Sequence, residues 1–267
     1  MARAWQDVER NIRWMNDLLA TVGTSVEQVV RAYPDSEFLL RLLGLGNGWS
    51  ESDREALEER IRGTRHHRNH RDSRTYVADL VLGWVMQDVV IQRLRAAGYA
   101  CEPTGADAER RLLLGRQISE EADLKLTTPA GEIWWIDVLT DYPTQRGADS
   151  YWQETRRCEL RDRKFHRLAE KVSVGTRAGL IGVSVGTKNY FGLEITTELM
   201  QALASPPHAQ QTNLPHRDTL AVRGQACDCL ESAPFAGKVP PVRGAAQRTT
   251  VRRRLRADCE WNASGWR

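Results

Sequence analysis

A stretch near the middle of the chain, residues 119 to 141 with the sequence SEEADLKLTTPAGEIWWIDVLTD, constrains the fold most strongly. Leu124 and Leu126 alternate with polar residues, which is the period of two expected of a half-buried strand. Pro129 and Gly131 then favour a reversal of the chain, and the run IWWIDVL that follows is rich in residues that prefer strands. The stretch therefore predicts a β-hairpin.

Each predicted strand of this hairpin carries one carboxylate. If the reversal is centred on Ala130, Asp123 and Asp137 lie opposite each other, with their Cβ atoms roughly 5 Å apart on one face. Two carboxylates that close repel each other, so a divalent cation, a retained proton or an arginine partner must offset their charge. The pair predicts a metal site, and the alternative is two acids at the rim of an ordinary hairpin.

Length and composition limit the class of protein. With 267 residues and 41% hydrophobic content, the chain suffices for one domain of ordinary size and an appendage. No apolar run approaches the ~20 residues that span a bilayer, and the charged amino terminus differs from a secretory signal. Five unevenly spaced cysteines do not predict a disulfide framework. We therefore expect a cytoplasmic protein with no membrane partner.

The formal net charge is +3, and the basic residues are overwhelmingly arginine. The planar fork of arginine suits bidentate phosphate binding, which fits a nucleic-acid partner, although a GC-rich coding sequence explains the bias equally well. In so arginine-rich a chain, each lysine is a candidate for a specific role. The lysines are Lys125, Lys164, Lys171, Lys188 and Lys238.

Changes in pattern along the chain predict four segments. Apolar residues at helical spacing, separated by capping residues and glycines, predict an all-helical appendage over residues 1 to 62. We expect it to serve packing or dimerisation, since no helix-turn-helix pattern stands out, and direct DNA reading is the alternative. A basic linker follows over residues 63 to 72, and the core domain over residues 73 to 204. Residues 205 to 267 lack periodicity and predict a disordered basic tail.

The strongest predicted helix runs from Ser73 or Arg74 to Ala97, and Asp88 falls in the middle of its apolar stripe. A carboxylate in a buried stripe is costly unless something pairs with it. The pairing group is either one of the many arginines or a site shared with the two hairpin acids. In the second case Gln87, beside Asp88, is a further candidate.

The predicted order is a helix, a short strand, a strand bearing Asp123, a strand bearing Asp137, a basic helix and an apolar strand. In this order the chain resembles the PD-(D/E)xK nuclease superfamily over roughly residues 73 to 200, and within it a restriction endonuclease. The segment Glu121-Ala122-Asp123 stands where the family has PD, and IWWIDVL matches the strand leading to (D/E)xK. The implied fold is α/β, a restriction-endonuclease-like mixed sheet flanked by helices, with the helical appendage at its N terminus.

The lysine departs from the family pattern, because Leu139 occupies the position two residues beyond Asp137. Some members of the superfamily take this lysine from a neighbouring element. By that resemblance Lys164 is the first candidate and Lys125 the second. Another registration, Asp107 followed by the Asp-Leu-Lys of residues 123 to 125, restores a literal motif but leaves Asp137 unexplained and ranks lower.

The resemblance implies a Mg²⁺-dependent type II restriction endonuclease, which hydrolyses phosphodiester bonds of double-stranded DNA, acts as a homodimer and has no small-molecule substrate. Asp123 and Asp137 would hold the metal, Asp88 or Gln87 would complete a second metal's ligands, and Lys164 or Lys125 would assist catalysis. The linker and a basic helix, predicted from Asp149 or Ser150 to about residue 172, would bind phosphates. The arginines expected to do so are Arg65, Arg68, Arg71, Arg156, Arg157, Arg161, Arg163 and Arg167.

Three alternatives remain at this point. One is a catalytically inactive nuclease-fold protein that binds DNA without cutting it. Another is a nucleic-acid-binding or assembly protein in which the acids pair with arginine. A retaining glycosidase also uses two carboxylates at about this separation, but the surrounding arginines argue against it.

Overall fold

The computed structural model describes residues 2–62, 72–104, 122–143, 157–186, 188–197, 211–214 and 217–223. Its helices are α1 (Ala2–Leu19), α2 (Val26–Arg31), α3 (Ser36–Leu43), α4 (Glu51–Ile61), α5 (Ser73–Ala96) and α6 (Asp162–Ser173), with a 3₁₀ turn at Ala20–Val22. Its strands are β1 (Ala100–Pro103), β2 (Leu124–Thr127), β3 (Ile133–Asp141), β4 (Arg157–Arg161), β5 (Arg177–Ser184), β6 (Asn189–Ile195), β7 (Gln211–Leu214) and β8 (Arg217–Arg223).

Two of the four N-terminal helices, α2 and α4, begin at capping side chains. The Ser25 side chain accepts a hydrogen bond from the Gln28 N–H, which starts α2. Ser50 and Asp53 form a reciprocal capping box at the start of α4. The predicted helical appendage is confirmed. Among the described residues, no helix is both long enough and apolar enough to cross a bilayer.

These helices pack on α5, and their buried side chains belong to the same hydrophobic core as α5 and one face of the sheet. Arg74, in the first turn of α5, connects the N-terminal helices to α5. Its guanidinium carbon lies 3.8 Å from the ring centre of Trp5 and 4.7 Å from that of Trp49. It also donates hydrogen bonds to the carbonyls of Leu42 and Arg41 near the end of α3. One cation therefore joins α1, α3 and α5.

Five of the described strands form one sheet in the order β1-β2-β3-β5-β6. The β3–β5 pair is parallel and the other pairs are antiparallel. A parallel pair needs a crossover connection, and α6 lies in the segment between these two strands. This arrangement confirms the predicted mixed sheet flanked by helices.

The two faces of the sheet are covered by different helices. Leu124, Leu126, Trp134 and Ile136 are fully buried in the core that contains α5. The residues between them in sequence point to the opposite face, because side chains alternate along a strand. There Lys171 of α6 places its Nζ 4.2 Å from the ring centre of Trp135. Helix α6 therefore covers the face opposite to α5.

The structure differs from the predicted basic helix at its beginning. Residues 157 to 161 form strand β4, and α6 begins only at Asp162. Within β4, Cys158 and Leu160 alternate with charged residues, so a period of two overrides the helical pattern once a partner strand is available. That partner is β8, which pairs antiparallel with β4 and with β7. Strands β7 and β8 lie inside the tail that was expected to be disordered.

Candidate active site

The hairpin has the predicted register. Leu124 pairs with Ile136 and Thr127 with Ile133, as a reversal centred on Ala130 requires. Gly131 allows the turn, since its φ of 84° is a conformation that other residues rarely adopt. One residue further along the same register, Asp123 faces Asp137.

Both acids are buried, with 4% of Asp123 and none of Asp137 exposed. They are held by two crossed hydrogen bonds. The backbone N–H of Asp123 donates to Oδ1 of Asp137 over 3.3 Å, and the N–H of Val138 donates to Oδ2 of Asp123 over 2.9 Å. Each carboxylate is therefore fixed by the main chain of the other strand, and backbone N–H donation favours the ionised form of both.

Lys164 completes this group. It is the third residue of α6, and its Nζ lies 2.9 Å from Oδ2 of Asp123 and 2.9 Å from Oδ1 of Asp137. Its side chain is 16% exposed. The structure thus brings together three of the predicted site residues, Asp123, Asp137 and Lys164. Asp123 and Lys164 are 41 positions apart in the sequence.

The two acids differ in their ionisation. Burial and the neighbouring charge of Asp123 raise the pKa of Asp137 to about 6, although Lys164 and Arg167 oppose the rise. Burial alone would also raise the pKa of Asp123, but the charge and hydrogen bond of Lys164 and the N–H of Val138 bring it below its usual value. Asp123 is therefore the more firmly ionised member of the pair.

The donor set is suited to a divalent cation. Oδ2 of Asp137 is buried and has no hydrogen-bond partner among the described residues. A buried carboxylate oxygen of this kind is costly unless a cation, proton or water satisfies it. Mg²⁺ prefers oxygen ligands, and one or two carboxylates together with water suffice to bind it. Asp123 and Asp137 are the residues that would hold the ion.

The other predicted ligands do not join the pair. In the described part of the chain, no three His, Cys, Asp or Glu side chains come together as a metal site. Asp88 instead accepts a 2.5 Å hydrogen bond from the hydroxyl of Tyr33, which follows α2. Gln87 is buried on the same helix. The physical reason is that α5 packs on the face of the sheet opposite to the acids.

The second candidate lysine, Lys125, lies two residues from Asp123 along the hairpin. Lys125 lies in register with Glu102 of β1 and Trp135 of β3, on the same face as Asp123. It is partly exposed. The structure therefore places Lys164, rather than Lys125, in contact with both acids.

Of the arginines predicted to bind DNA, Arg167 is the one whose side chain the structure describes. It lies one turn after Lys164 on α6, near enough for its charge to lower the pKa of Asp137. The sequence analysis did not place Arg167 near the acids. Residues three apart on a helix lie on the same side, so its spacing from Lys164 indicates this proximity once the start of α6 is known. Arg65, Arg68, Arg71 and Arg156 lie outside the described residues, and for Arg157, Arg161 and Arg163 the structure describes only the backbone.

No protein-family model matches the chain, and no curated protein matches it. One similar solved structure is the Holliday junction resolvase Hjc of the archaeon Archaeoglobus fulgidus, at 13% identity and a TM-score of 0.34. The match covers 58% of this chain and 98% of the resolvase.

Proposed function

We propose that this protein is a divalent-cation-dependent endonuclease that hydrolyses phosphodiester bonds of double-stranded DNA. The observation that carries the proposal is the contact of one lysine with two buried carboxylates from adjacent strands. Lys164 Nζ lies 2.9 Å from an oxygen of each acid. Two acids and a lysine in this arrangement are the groups that the resemblance to PD-(D/E)xK nucleases requires, with the lysine supplied by a helix instead of the second strand.

Each residue has a distinct role in the proposed reaction. Asp123 and Asp137 would hold Mg²⁺, which would supply an activated water and positive charge for the scissile phosphate. Their crossed backbone hydrogen bonds keep the carboxylates in place, so little reorganisation is needed during the reaction. Lys164 orients the attacking water or offsets negative charge as it develops on the phosphate.

The basic residues around the pair fit a DNA substrate. Arg167 stands one turn from Lys164 on α6, and further arginines precede it in the same segment. Arginines of this kind bind backbone phosphates, which makes affinity fall steeply with salt concentration. Sequence-specific type II restriction and a two-fold homodimer are the finer proposal, since a symmetric dimer matches a palindromic DNA site.

A second candidate function is DNA binding without cleavage. The same contact favours it, because the ammonium of Lys164 already offsets part of the charge of the acids without any metal. In that case the three residues form a buried ion-pair cluster that stabilises the fold.

Incubation with mixed-sequence plasmid DNA separates the two functions. The full chain is mixed with the DNA in Mg²⁺ or in EDTA, alongside an Asp137→Asn variant purified in the same way. Discrete fragments that need Mg²⁺ and the wild-type acid support the endonuclease. A mobility shift with intact DNA in every sample supports the binding protein and contradicts the endonuclease.

A further inference from the structure

The ammonium of Lys164 occupies the space between the two carboxylates. It makes 2.9 Å contacts to Oδ2 of Asp123 and Oδ1 of Asp137, the same two oxygens that accept the crossed backbone hydrogen bonds. These are charge-assisted hydrogen bonds, and they lie at the point where opposite charge is most favourable. A cation held by both carboxylates would compete with this ammonium for their negative charge.

The carboxylates do not depend on Lys164 for their positions. The N–H groups of Asp123 and Val138 belong to paired strands, and they hold the acids through the main chain. Moving the lysine away therefore leaves the two carboxylates facing each other. Their mutual repulsion then favours capture of another cation.

Movement of the Lys164 side chain away from the acids would not require α6 to repack. It lies in the first turn of α6 with 16% of its side chain exposed. The helix is anchored further along, where Leu168 is fully buried and Lys171 stacks on Trp135. A lysine side chain has enough rotatable bonds to swing to solvent from this position.

We propose that Lys164 acts as an internal counter-ion, which competes with a divalent cation for the carboxylates of Asp123 and Asp137 and is displaced when the cation binds. The inference rests on the proposed function for the identity of the site. It adds that Lys164 occupies the site until a cation replaces it. Displacement would release the ammonium from the two carboxylates. The lysine is then available to a phosphate group only when the site is loaded.

Calorimetric titration of Mn²⁺ into the full chain without DNA tests the competition. Lys164→Met removes the charge and keeps much of the side-chain volume, and Lys171→Met makes the same change about two turns further along α6. We expect Lys164→Met to bind Mn²⁺ about tenfold more tightly or better, because the cation no longer displaces two charge-assisted hydrogen bonds. Lys171→Met should change affinity less than about threefold, since its charge is distant and screened. Equal or weaker binding by Lys164→Met would overturn the proposal.

A second measurement uses the wild-type chain, in case Lys164→Met fails to fold. Limited acylation of lysines, followed by peptide mass spectrometry, reports the exposure of each ammonium. Saturating Mn²⁺ should increase modification of Lys164 and leave Lys171 unchanged. Unchanged or reduced modification of Lys164 means that the lysine stays between the acids, which contradicts displacement.

These measurements are independent of DNA cleavage. If Mn²⁺ competes with Lys164 but the protein leaves plasmid DNA intact, the counter-ion role is supported and the proposed endonuclease activity is contradicted. If the protein cleaves DNA with a metal but Mn²⁺ does not compete with Lys164, the endonuclease is supported and the counter-ion role is contradicted.

Discussion

The backbone N–H of Asp123 donates a hydrogen bond to the carboxylate of Asp137 across the β2–β3 hairpin, over 3.3 Å. Asp137 is fully buried and its other carboxylate oxygen has no partner among the described residues. The main chain thus fixes one oxygen of the acid, and the other is a buried acceptor that a cation, proton or water would satisfy. An amide at position 137 would keep this hydrogen bond and lose only the charge.

Asp137→Asn should abolish cleavage and leave DNA binding intact or stronger. Asparagine can still accept the hydrogen bond from Asp123, but the loss of one negative charge weakens cation binding by several kcal/mol, so the rate should fall at least about a thousandfold. Removing an acid also lessens the repulsion of phosphate. Cleavage and filter-binding assays measure both effects. Glu132→Gln, at the exposed turn of the same hairpin, is the control and should behave as wild type.

Lys164→Ala should slow cleavage far more than Lys171→Ala. Lys164 touches both acids, and losing a group that stabilises developing charge costs roughly a hundredfold to a thousandfold in rate. Lys171 instead lies over the ring of Trp135, and its loss should change the rate only about threefold or less. Single-turnover cleavage at saturating enzyme gives the comparison. Equal effects would mean that α6 contributes only general positive charge.

The stability of the protein should depend on the ionisation of Asp137. Burial and the charge of Asp123 raise its pKa from 3.8 to about 6, so the folded chain holds this proton more tightly than the unfolded chain. Protonated Asp137 therefore contributes to the free energy of unfolding. The contribution is fully present below pH ~3.8 and is lost as the pH rises through about 6. Wild type should therefore lose stability relative to Asp137→Asn over this window, by on the order of 1 kcal/mol or more.

Urea unfolding of both proteins at a series of pH values, in EDTA, measures this difference. A constant difference between pH 4 and pH 7 would show that Asp137 keeps its ordinary pKa in the folded chain.

Arg74→Lys should destabilise the protein by roughly 2 kcal/mol. Lysine keeps the charge but loses the flat guanidinium that stacks between Trp5 and Trp49 and the hydrogen bonds to two carbonyls. The melting temperature should fall by several degrees, while cleavage well below the melting temperature is retained. Arg54→Lys, on the exposed side of α4, is the matched control and should leave the melting temperature unchanged.

Removal of the tail tests whether β8 supports the site. All five residues of β4 pair with β8. Strand β4 leads directly into α6, which carries Lys164. Deleting residues 205–267 should increase hydrogen exchange in β4 and the first turn of α6 and lower the cleavage rate about tenfold or more, because the lysine is less well positioned. Deleting only residues 224–267 keeps both strands and should preserve activity. Equal activity of the two truncated chains would place the boundary of the functional core near residue 204.

The sequence by itself determined the local part of this protein. Alternating leucines, a proline, a glycine and a run of strand-forming residues specify the hairpin and its register, so the meeting of Asp123 and Asp137 follows from residues within 15 positions of each other. The capping residues of α2 and α4 are equally local signals. Periodicity and turn chemistry act over a few residues, which is why they can be read along the chain.

Only the tertiary structure decided which groups meet from distant parts of the chain. The parallel pairing of β3 with β5 requires a crossover, and that crossover brings Lys164 over the acids while α5 covers the other face with Asp88 turned to Tyr33. The partner of β4 likewise comes from beyond residue 210, which converts the start of an expected helix into a strand. Such contacts depend on which surfaces the other elements leave to be buried, and no short stretch of sequence carries that information.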